Sequence, residues 1–282
     1  MHPYIPQEWI SEPDRLIPGI IRALDRRAPG ETALFDSAAA DLATTSAVLL
    51  LLSLSAGDTG TPGEVCLILN KRSTRVRQPG DLCCPGGSVA PRFDFNVARL
   101  LGLPLGPLGR WPRWKIWRRE RPLESRWLAL YFATALREAF EEMRLNPFRV
   151  RFLGPLPQHR LVLFRRLIYP LAAWVPDPLR LKPNWEVERI LGIPLRRLLD
   201  PAHYICYRLT LPGSARAAAD EQVRRVPAFR IPSSGSADIL WGATYRITMA
   251  FLETVFGFSP PAMDSLPLVN GQLGSTYLTG ER

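Results

Sequence analysis

The sequence predicts a fold of mixed α and β structure, either α+β or an α/β/α sandwich. Apolar runs typical of strands dominate the front of the chain, and strand patterns followed by a helix close it. Between them Phe132, Leu136, Ala139 and Met143 recur at helical spacing, which places one apolar stripe on a long helix. This order of elements indicates a sheet covered by helices.

Taken in order, the elements begin with a short helix in "SEPDRLIPGIIRALDRRAPG", where Ser11 precedes and Gly30 follows the pattern. The runs "TSAVLLLLSLSAG" and "GEVCLILNKRS" flank a turn-rich stretch and are predicted to pair antiparallel. The long helix is expected from Ser125 to Asn146, just before Pro147. Later stretches predict two strands joined by a basic turn in "RLVLFRRLIYPLAAWVP", a strand or loop entering a short helix in "EVERILGIPLRRLLD", and a closing helix in "DILWGATYRITMAFLETVFG".

The composition is that of a globular protein. The chain has 282 residues, of which 46% are hydrophobic, enough for one large domain. Its longest apolar run, Ser46 to Ala56, is about half of the roughly 20 residues that a membrane-spanning helix needs, so it is interpreted as a buried strand. Neither terminus has a targeting pattern, which predicts a cytoplasmic location with reduced, mostly buried cysteines.

Positive charge is concentrated in one segment. The chain carries a formal charge of +10, which predicts an anionic partner such as a nucleic acid, a membrane surface or a phosphorylated substrate. Seven arginines and lysines lie between Arg110 and Arg126 against Glu120 and Glu124, for a local net of 7 − 2 = +5. The same segment contains Trp111, Trp114, Trp117 and Trp127, and it can be read as a packed cover, as a substrate lid, or as a contact with a membrane or nucleic acid.

The long helix also carries a group of like charges. Glu138, Glu141 and Glu142 lie three and four residues apart, so the sequence predicts that their carboxylates share one small patch. Such a patch costs stability unless a cation sits in it, and Mg²⁺ prefers oxygen ligands together with water and substrate phosphates. The hypothesis is therefore half of a magnesium site, and the alternative is a solvated helix face.

These residues also resemble a known family. "TALREAFEE" is similar to the Nudix box, the metal-binding helix of Nudix hydrolases, and "LILNKRSTRVRQPGDLCCPGG" is similar to the signature of its coenzyme A diphosphatase branch. "EVERILGIPLRRLLD" and "DILWGATYRI" resemble two later segments of that branch. Four motifs in the same order, between about Thr44 and Gly257, carry the resemblance.

The resemblance implies a Nudix-type α/β/α sandwich with a mixed sheet, and hydrolysis of a diphosphate linkage with Mg²⁺ or Mn²⁺. By position, Glu138, Glu141 and Glu142 would be the metal ligands, and Arg137 would orient these glutamates. The remaining site residues implied are Glu141 and Glu186 in catalysis, Glu186 as a general base or extra ligand, and Arg72, Arg77, Gly86 and Gly87 in substrate binding.

Three departures from the family pattern stand out. Arg144 takes the place of a glycine at the end of the box, and a short extension of the helix is expected to absorb this change. Ala129 stands where an upstream acid is expected, and Asp94, Glu120 or Glu124 could replace that acid. Gly87 and Arg137 lie 50 positions apart, so an insertion of about 35 residues separates the glycine loop from the helix.

The sequence thus predicts an N-terminal helical extension at 1–40, a Nudix hydrolase domain at 41–257 with a basic Trp/Arg-rich insertion at about 88–124, and a C-terminal tail at 258–282. The expected partner is a small nucleoside diphosphate derivative, with coenzyme A as first choice. An anionic membrane surface is a further candidate partner through the insertion, and nucleic acid is not expected. The alternative function is a catalytically degenerate Nudix-fold protein that binds a nucleotide or an anionic partner.

Overall fold

A computed structural model describes residues 4–26, 42–55, 61–161, 166–176, 180–210, 223–232, 237–274 and 277 of the chain. The helices are α1 (Pro13–Arg26), α2 (Pro91–Leu101), α3 (Trp114–Glu120), α4 (Pro122–Met143), α5 (Leu195–Leu198) and α6 (Gly242–Phe256). The strands are β1 (Thr45–Leu54), β2 (Val65–Arg72), β3 (Leu82–Cys83), β4 (Gly86–Ser88), β5 (Arg151–Pro155), β6 (His159–Leu161), β7 (Arg166–Val175), β8 (Val187–Pro194), β9 (Tyr204–Thr210), β10 (Val223–Ile231), β11 (Asp238–Leu240) and β12 (Leu268–Gln272).

The larger sheet is mixed. Its strands run in the order β3-β2-β1-β7-β5, with β4 on β1, β6 on β7 and β8 on β2. The central pair β1 and β7 is parallel, whereas β1 pairs with β2 antiparallel, as the sequence predicts. Helices cover both faces of the sheet at the central strand β1. This burial on both sides explains the nearly continuous apolar sequence of β1.

Two hydrophobic cores lie on opposite faces of the sheet. Leu50 and Leu52 of β1 pack with α1, α5 and α6, while Leu49 and Leu51 pack with α2, α3 and α4. Alternate side chains of a strand point to opposite faces, so one strand supplies both cores. This arrangement confirms the predicted α/β/α sandwich with a mixed sheet.

A second, four-stranded sheet runs in the order β11-β10-β9-β12. Its edge strand β12 lies within the segment predicted as a C-terminal tail, and it pairs parallel with β9. The sequence analysis found no strand there because the β12 sequence, Leu-Val-Asn-Gly-Gln, is short and weakly patterned.

The predicted N-terminal extension contains α1, which buries Leu16, Ile17 and Ile20 in the first core. The predicted end of this helix near Gly30 lies outside the described residues, as does the basic turn between β6 and β7. The four cysteines are free thiols, and three of them are buried, as the sequence predicts. Among the described residues, no helix has both the length and the apolar character needed to cross a bilayer.

Helix α4 ends earlier than predicted. It stops at Met143 instead of extending to Asn146, and Arg144 adopts the left-handed conformation with φ 59° and ψ 31°. The expected extension of the helix is therefore wrong, and Arg144 takes the backbone conformation that favours glycine. The amide of Leu145 then bonds to the carbonyl oxygen of Ala139 at 3.3 Å, which closes the helix end.

The basic Trp-rich segment forms α2, α3 and the turns between them. Trp111, Trp114 and Trp117 are buried in the second core, and the ring of Trp111 meets Phe152 edge-on at 4.9 Å. Trp127 is partly buried and stacks on Tyr131 at 5.9 Å. The sequence left three interpretations of this segment open: a packed cover, a substrate lid, or a contact with a membrane or nucleic acid. The packed cover describes the three buried tryptophans, because their rings have no free face for a nucleobase.

Candidate functional site

The glycine loop lies directly against the acidic helix. Although β4 and α4 are separated by the insertion, the amide of Gly86 donates to Oε2 of Glu142 at 3.1 Å. The side-chain amide of Asn70, on β2, donates to the same oxygen at 2.9 Å. Glu142 is only 7% exposed, so two donors from two strands fix a buried carboxylate. The insertion therefore leaves the loop and the helix in contact.

Both glycines of this loop are required by close contacts. At Gly86, with φ 146°, a Cβ atom would lie within van der Waals overlap of the carbonyl oxygen of Ala47. At Gly87, a Cβ atom would stand 2.6 Å from the carboxyl carbon of Glu138. The loop thus brings backbone without side chains close to the carboxylates of Glu138 and Glu142 on α4.

Arg137 connects the loop, the helix and α2. Its guanidinium donates to the carbonyl oxygen of Ser88 at 2.9 Å and to Oδ1 of Asp94 at 2.8 Å. It also lies 3.1 Å from Glu138 and 3.3 Å from Glu141. Burial by itself would lower the pKa of Arg137, but these three carboxylates raise it overall. The arginine is thus a fixed charge that orients the side chains around it.

Of the three acids that could replace the missing upstream acid, Asp94 is the one that contacts Arg137. It is fully buried, and its Oδ2 accepts from the amide of Ala90 and the hydroxyl of Thr134, both at 2.7 Å. The other two candidates lie elsewhere, since Glu120 pairs with Arg119 and Glu124 with Arg121. Asp94 comes from α2, on the far side of the inserted turns, so spacing along α4 could not identify it.

A cavity of about 60 Å³ opens beside the buried carboxylate. The lining residues are Asn70, Arg72, Val76, Cys83, Glu142, Glu186 and Val187. This volume is enough for a few water molecules or a hydrated ion. The cavity therefore gives a small polar ligand access to Glu142 and Glu186.

Glu186 reaches the cavity through the segment just before β8, whose backbone bonds to the end of α4. The amide of Asn184 donates to the carbonyl oxygen of Glu142 at 2.9 Å, and the carbonyl oxygen of Glu186 accepts from Ser73 at 2.9 Å. The side chain of Asn184 holds the amide of Glu186 at 2.9 Å. These bonds place Glu186 in the lining of the cavity, together with Glu142.

The two arginines predicted to bind substrate differ. Arg72 lines the cavity, and its Nε donates to the carbonyl oxygen of Arg77 at 2.7 Å. Arg77 is exposed on the loop after β2, and its backbone positions Arg72. The structure thus brings Arg72 to the carboxylates and leaves the side chain of Arg77 at the surface.

The carboxylates of Glu141 and Glu142 point in different directions. Glu142 turns inward to Asn70 and Gly86, whereas Glu141 is drawn outward to Arg137 and its side chain is 52% exposed. Within the described ranges, no group of three or more His, Cys, Asp or Glu side chains is arranged to hold a metal ion. Spacing on the helix fixed the face of each glutamate, but the partners around the helix decided where each carboxylate points.

Burial raises the pKa of Glu142 to about 8. The bond from Gly86 and the charge of Arg72 oppose the shift, while Glu138 and Glu186 add to it. Burial likewise raises the pKa of Glu138, which Arg137 partly offsets. Nearby carboxylates removed from water favour the protonated form unless a cation is present.

The donor set fits a hard cation. Asn70 is 1% exposed, and because its Nδ2 donates to Glu142, its Oδ1 is left as an acceptor with no partner among the described residues. Asn70, Glu142 and Glu186 all line the cavity, with Arg72 as the nearby positive charge. Oxygen donors of this kind suit Mg²⁺ or Mn²⁺, with water filling the other positions.

Burial also raises the pKa of the Cys83 thiol to about 12, which keeps it a neutral thiol.

No protein-family model matches the chain, and no curated protein matches it. Its structural neighbours are Nudix hydrolases. One, from Alicyclobacillus acidocaldarius, is 16% identical over 55% of this chain and 81% of its own, with a TM-score of 0.35. The enzyme RenU of M. smegmatis is 16% identical over 55% and 73%, with a TM-score of 0.34.

The Nudix domain of Shewanella oneidensis NrtR, solved with ADP-ribose, is 12% identical over 58% of this chain and 81% of its own, with a TM-score of 0.33. A C. elegans Ap4A hydrolase is 14% identical over 54% and 80%, with a TM-score of 0.33. These scores are too low to support an activity.

Proposed function

We propose that this chain is a Nudix-type hydrolase that cleaves a diphosphate linkage with Mg²⁺ or Mn²⁺. The observation that carries the proposal is the cavity lined by Asn70, Glu142 and Glu186, together with the buried amide oxygen of Asn70, which has no hydrogen-bond partner among the described residues. Buried oxygen acceptors need a cation or water donors. When bound, the metal would polarise a phosphoryl oxygen and lower the pKa of a water molecule.

The protein side chains have separate roles in this proposal. Glu142 and Glu186 hold the metal, with Glu138 next to them, and Asn70 and Gly86 keep Glu142 in place. Arg137 is a positioning residue, since it ties Glu138 and Glu141 to the loop and to Asp94. Glu141 remains a candidate ligand if its side chain turns inward.

Proton transfer and phosphate binding complete the proposal. Glu186, which also lines the cavity, is the candidate general base or an extra metal ligand, because its carboxylate is not held by Asn70 or Gly86 as that of Glu142 is. Arg72 would pair with a substrate phosphate, as a guanidinium does with two oxygens at once. Gly86 and Gly87 present backbone without side chains, and Arg77 would contact substrate from the loop surface.

Coenzyme A or a derivative is the first-choice substrate. Support comes from a contact between two of the motifs that resemble the coenzyme A diphosphatase branch, where Nε1 of Trp241 donates to Oδ1 of Asp81 at 3.1 Å. The contact joins the glycine loop to the start of α6, beside the cavity residue Arg72. The ADP-ribose and Ap4A named for two structural neighbours are the other substrate candidates.

Product analysis tests the proposal. Purified protein with Mg²⁺ or Mn²⁺ is incubated with coenzyme A, acyl-coenzyme A, ADP-ribose and Ap4A. We expect phosphopantetheine and adenosine 3′,5′-bisphosphate from coenzyme A, and a rate reduced about 100-fold or more in Glu142→Gln. Glu124→Gln is the control on the same helix, since Glu124 pairs with Arg121 far from the cavity.

The outcomes separate the alternatives. Cleavage of ADP-ribose or Ap4A alone would keep the chemistry and overturn the choice of substrate. Absence of turnover with either metal would favour the catalytically degenerate binding protein. Equal activity of Glu142→Gln and the unmodified protein would remove Glu142 from the site.

A further inference from the structure

The first turns of the inserted segment expose an unusual amount of apolar surface. Leu105 is 88% exposed, Leu100 63%, Phe93 57% and Leu103 54%. We call these four residues the apolar face. Isolated exposed leucines are ordinary, but four large apolar side chains within 13 consecutive positions form a patch that indicates an interaction site.

The geometry of α2 brings these side chains together. Phe93 and Leu100 are seven residues apart, which is two turns of one helix flank, while Asp94, Ala98 and Leu101 occupy the buried side. The chain then turns back on the end of the helix, because the amide of Leu103 donates to the carbonyl oxygen of Leu100 at 3.2 Å and that of Leu108 to Leu101 at 3.1 Å. Leu103 and Leu105 therefore project from the end of the same helix. Phe95 is exposed as well, on the opposite flank.

Unpaired basic side chains border this face. Arg92 and Arg99 lie on the exposed side of α2, and Lys115 and Arg118 lie on α3. Nε1 of Trp114 donates to the carbonyl oxygen of Gly102 at 3.1 Å, which fixes the start of α3 on the end of α2.

Three other arginines of the segment are paired with carboxylates. Arg113 bonds to Asp25, Arg119 to Glu120 and Arg121 to Glu124. In the described part of the chain, no carboxylate lies within ion-pair distance of Arg92, Arg99, Lys115 or Arg118. Among the residues that the structure describes, the unpaired charge next to the apolar face is therefore positive.

We propose that the apolar face, bordered by Arg92, Arg99, Lys115 and Arg118, docks on the surface of a membrane that contains anionic phospholipids. Large apolar side chains enter the boundary between headgroups and acyl chains, while arginine and lysine remain at the phosphates. Charge complementarity selects this occupant over a neutral apolar partner, since anionic headgroups attract basic segments near the surface. A second copy of this chain would bring like charges together around the same face.

A single helix, α2, connects the proposed docking surface to the proposed active site. The buried side of α2 carries Asp94, which holds Arg137, and the exposed side carries Phe93 and Leu100. The docking proposal does not depend on the proposed hydrolase activity, because none of the four apolar side chains lines the cavity.

Vesicle sedimentation tests this proposal. Full-length protein is mixed with vesicles of phosphatidylcholine alone, or with added phosphatidylglycerol, at low salt and at about 1 M salt, where the Debye length falls to about 3 Å. We expect sedimentation with the anionic vesicles at low salt, with at least tenfold weaker binding at high salt and to neutral vesicles.

Two variants separate the apolar and charged contributions. Leu103→Ser with Leu105→Ser should weaken binding to anionic vesicles at least tenfold, and so should Arg92→Glu with Arg99→Glu. Leu268→Ser and Arg225→Glu, at exposed positions of the second sheet, are the matched controls and should bind as the unmodified protein does. Circular dichroism of each variant shows whether it is folded.

Three results would overturn the proposal. The first is no binding to anionic vesicles at low salt. The second is binding that survives both the leucine and the arginine changes, which would indicate another surface. The third is a dimer of the unmodified protein that Leu103→Ser with Leu105→Ser converts to monomer without any vesicle binding, because the face would then be an interface between copies. Sedimentation velocity without vesicles reports that third result.

Discussion

At the scale of single residues, the site depends on how each carboxylate is held more than on how many there are. Glu142 is fixed by Asn70 and Gly86, whereas Glu141 is held outside by Arg137. Two glutamates that are adjacent in sequence therefore differ in burial and in chemistry. The residue that creates the difference, Asn70, lies 72 positions away from Glu142.

Replacing Asn70 tests its place in the site. We expect Asn70→Ala to weaken Mn²⁺ binding about 10- to 100-fold, because Glu142 loses its donor and the cavity loses an oxygen acceptor. Electron paramagnetic resonance of free Mn²⁺ measures this directly, with or without turnover. Asn96→Ala, which removes only an exposed bond to Arg92, should leave Mn²⁺ binding unchanged. Equal affinity of the two variants would exclude Asn70 from the metal site.

Asp81 should make the protein's stability pH-dependent. Burial raises its pKa from 3.8 to about 6, against the opposing hydrogen bonds from Tyr277 and Trp241. A raised pKa means that the folded state binds the proton more tightly, so the stabilisation is complete below about pH 4 and is lost as the pH rises to about 6. One pKa unit corresponds to about 1.4 kcal/mol, so the loss is at most about 3 kcal/mol.

Urea unfolding of the unmodified protein and Asp81→Asn across this pH range measures the effect. The free energy of unfolding should fall more steeply with pH in the unmodified protein, and the two curves should run parallel above about pH 6. Other carboxylates titrate in both proteins and cancel in the difference. Parallel curves throughout would show that Asp81 does not titrate in this range.

At the scale of elements, the end of α4 stores strain at a defined residue. Arg144 takes a left-handed conformation that costs a non-glycine residue roughly 1 kcal/mol. Its guanidinium lies 5.5 Å from the centre of the Phe140 ring, which offsets part of this cost. The end of the helix, in turn, positions the segment that carries Glu186.

We expect Arg144→Gly to be more stable than Arg144→Ala by about 1 kcal/mol, because both lose the ring contact and only glycine relieves the strain. Urea unfolding measures the difference. At Arg118, inside α3, the same two substitutions should rank in the opposite order, since glycine is about 1 kcal/mol worse than alanine within a helix. If alanine is as stable as glycine at 144, the end of α4 relaxes out of the left-handed conformation.

At the scale of the whole molecule, the inserted segment belongs to the core. Trp111, Trp114 and Trp117 are buried together with residues of α4 and the sheet. The segment is thus a structural part of one face of the sandwich, and its outer side is free to carry the apolar face and the basic residues around it.

This packing predicts a large cost for removing one tryptophan. Trp111→Ala should lower the free energy of unfolding by about 3 to 5 kcal/mol, because it leaves a cavity against Phe152. Trp185 is 59% exposed, and Trp185→Ala should change stability by less than about 0.5 kcal/mol. Thermal or urea unfolding of the two variants makes the comparison. Similar small losses would mean that the inserted segment is not part of the cooperative core.

The sequence by itself determined the features that depend on local pattern. Periodicity placed the two front strands, the long helix and the closing helix, and the glycine pair and the glutamate spacing located the region of the site. Arg144 shows the limit of this reasoning even for a local feature. The pattern favoured a longer helix. Instead, Arg144 adopts the strained left-handed conformation, because Leu145 is buried beneath the helix end.

The tertiary structure decided everything that depends on contacts distant in sequence. Asp94 contacts Arg137 from another helix, Asn70 reaches Glu142 from β2, and the glycine loop meets α4 across the inserted segment. The weakly patterned β12 forms only because β9 offers it a pairing edge. Sequence periodicity indicates which side of a helix or strand is buried. The partner of a buried polar group depends instead on how the helices and strands pack together. That packing cannot be predicted from a short stretch of sequence.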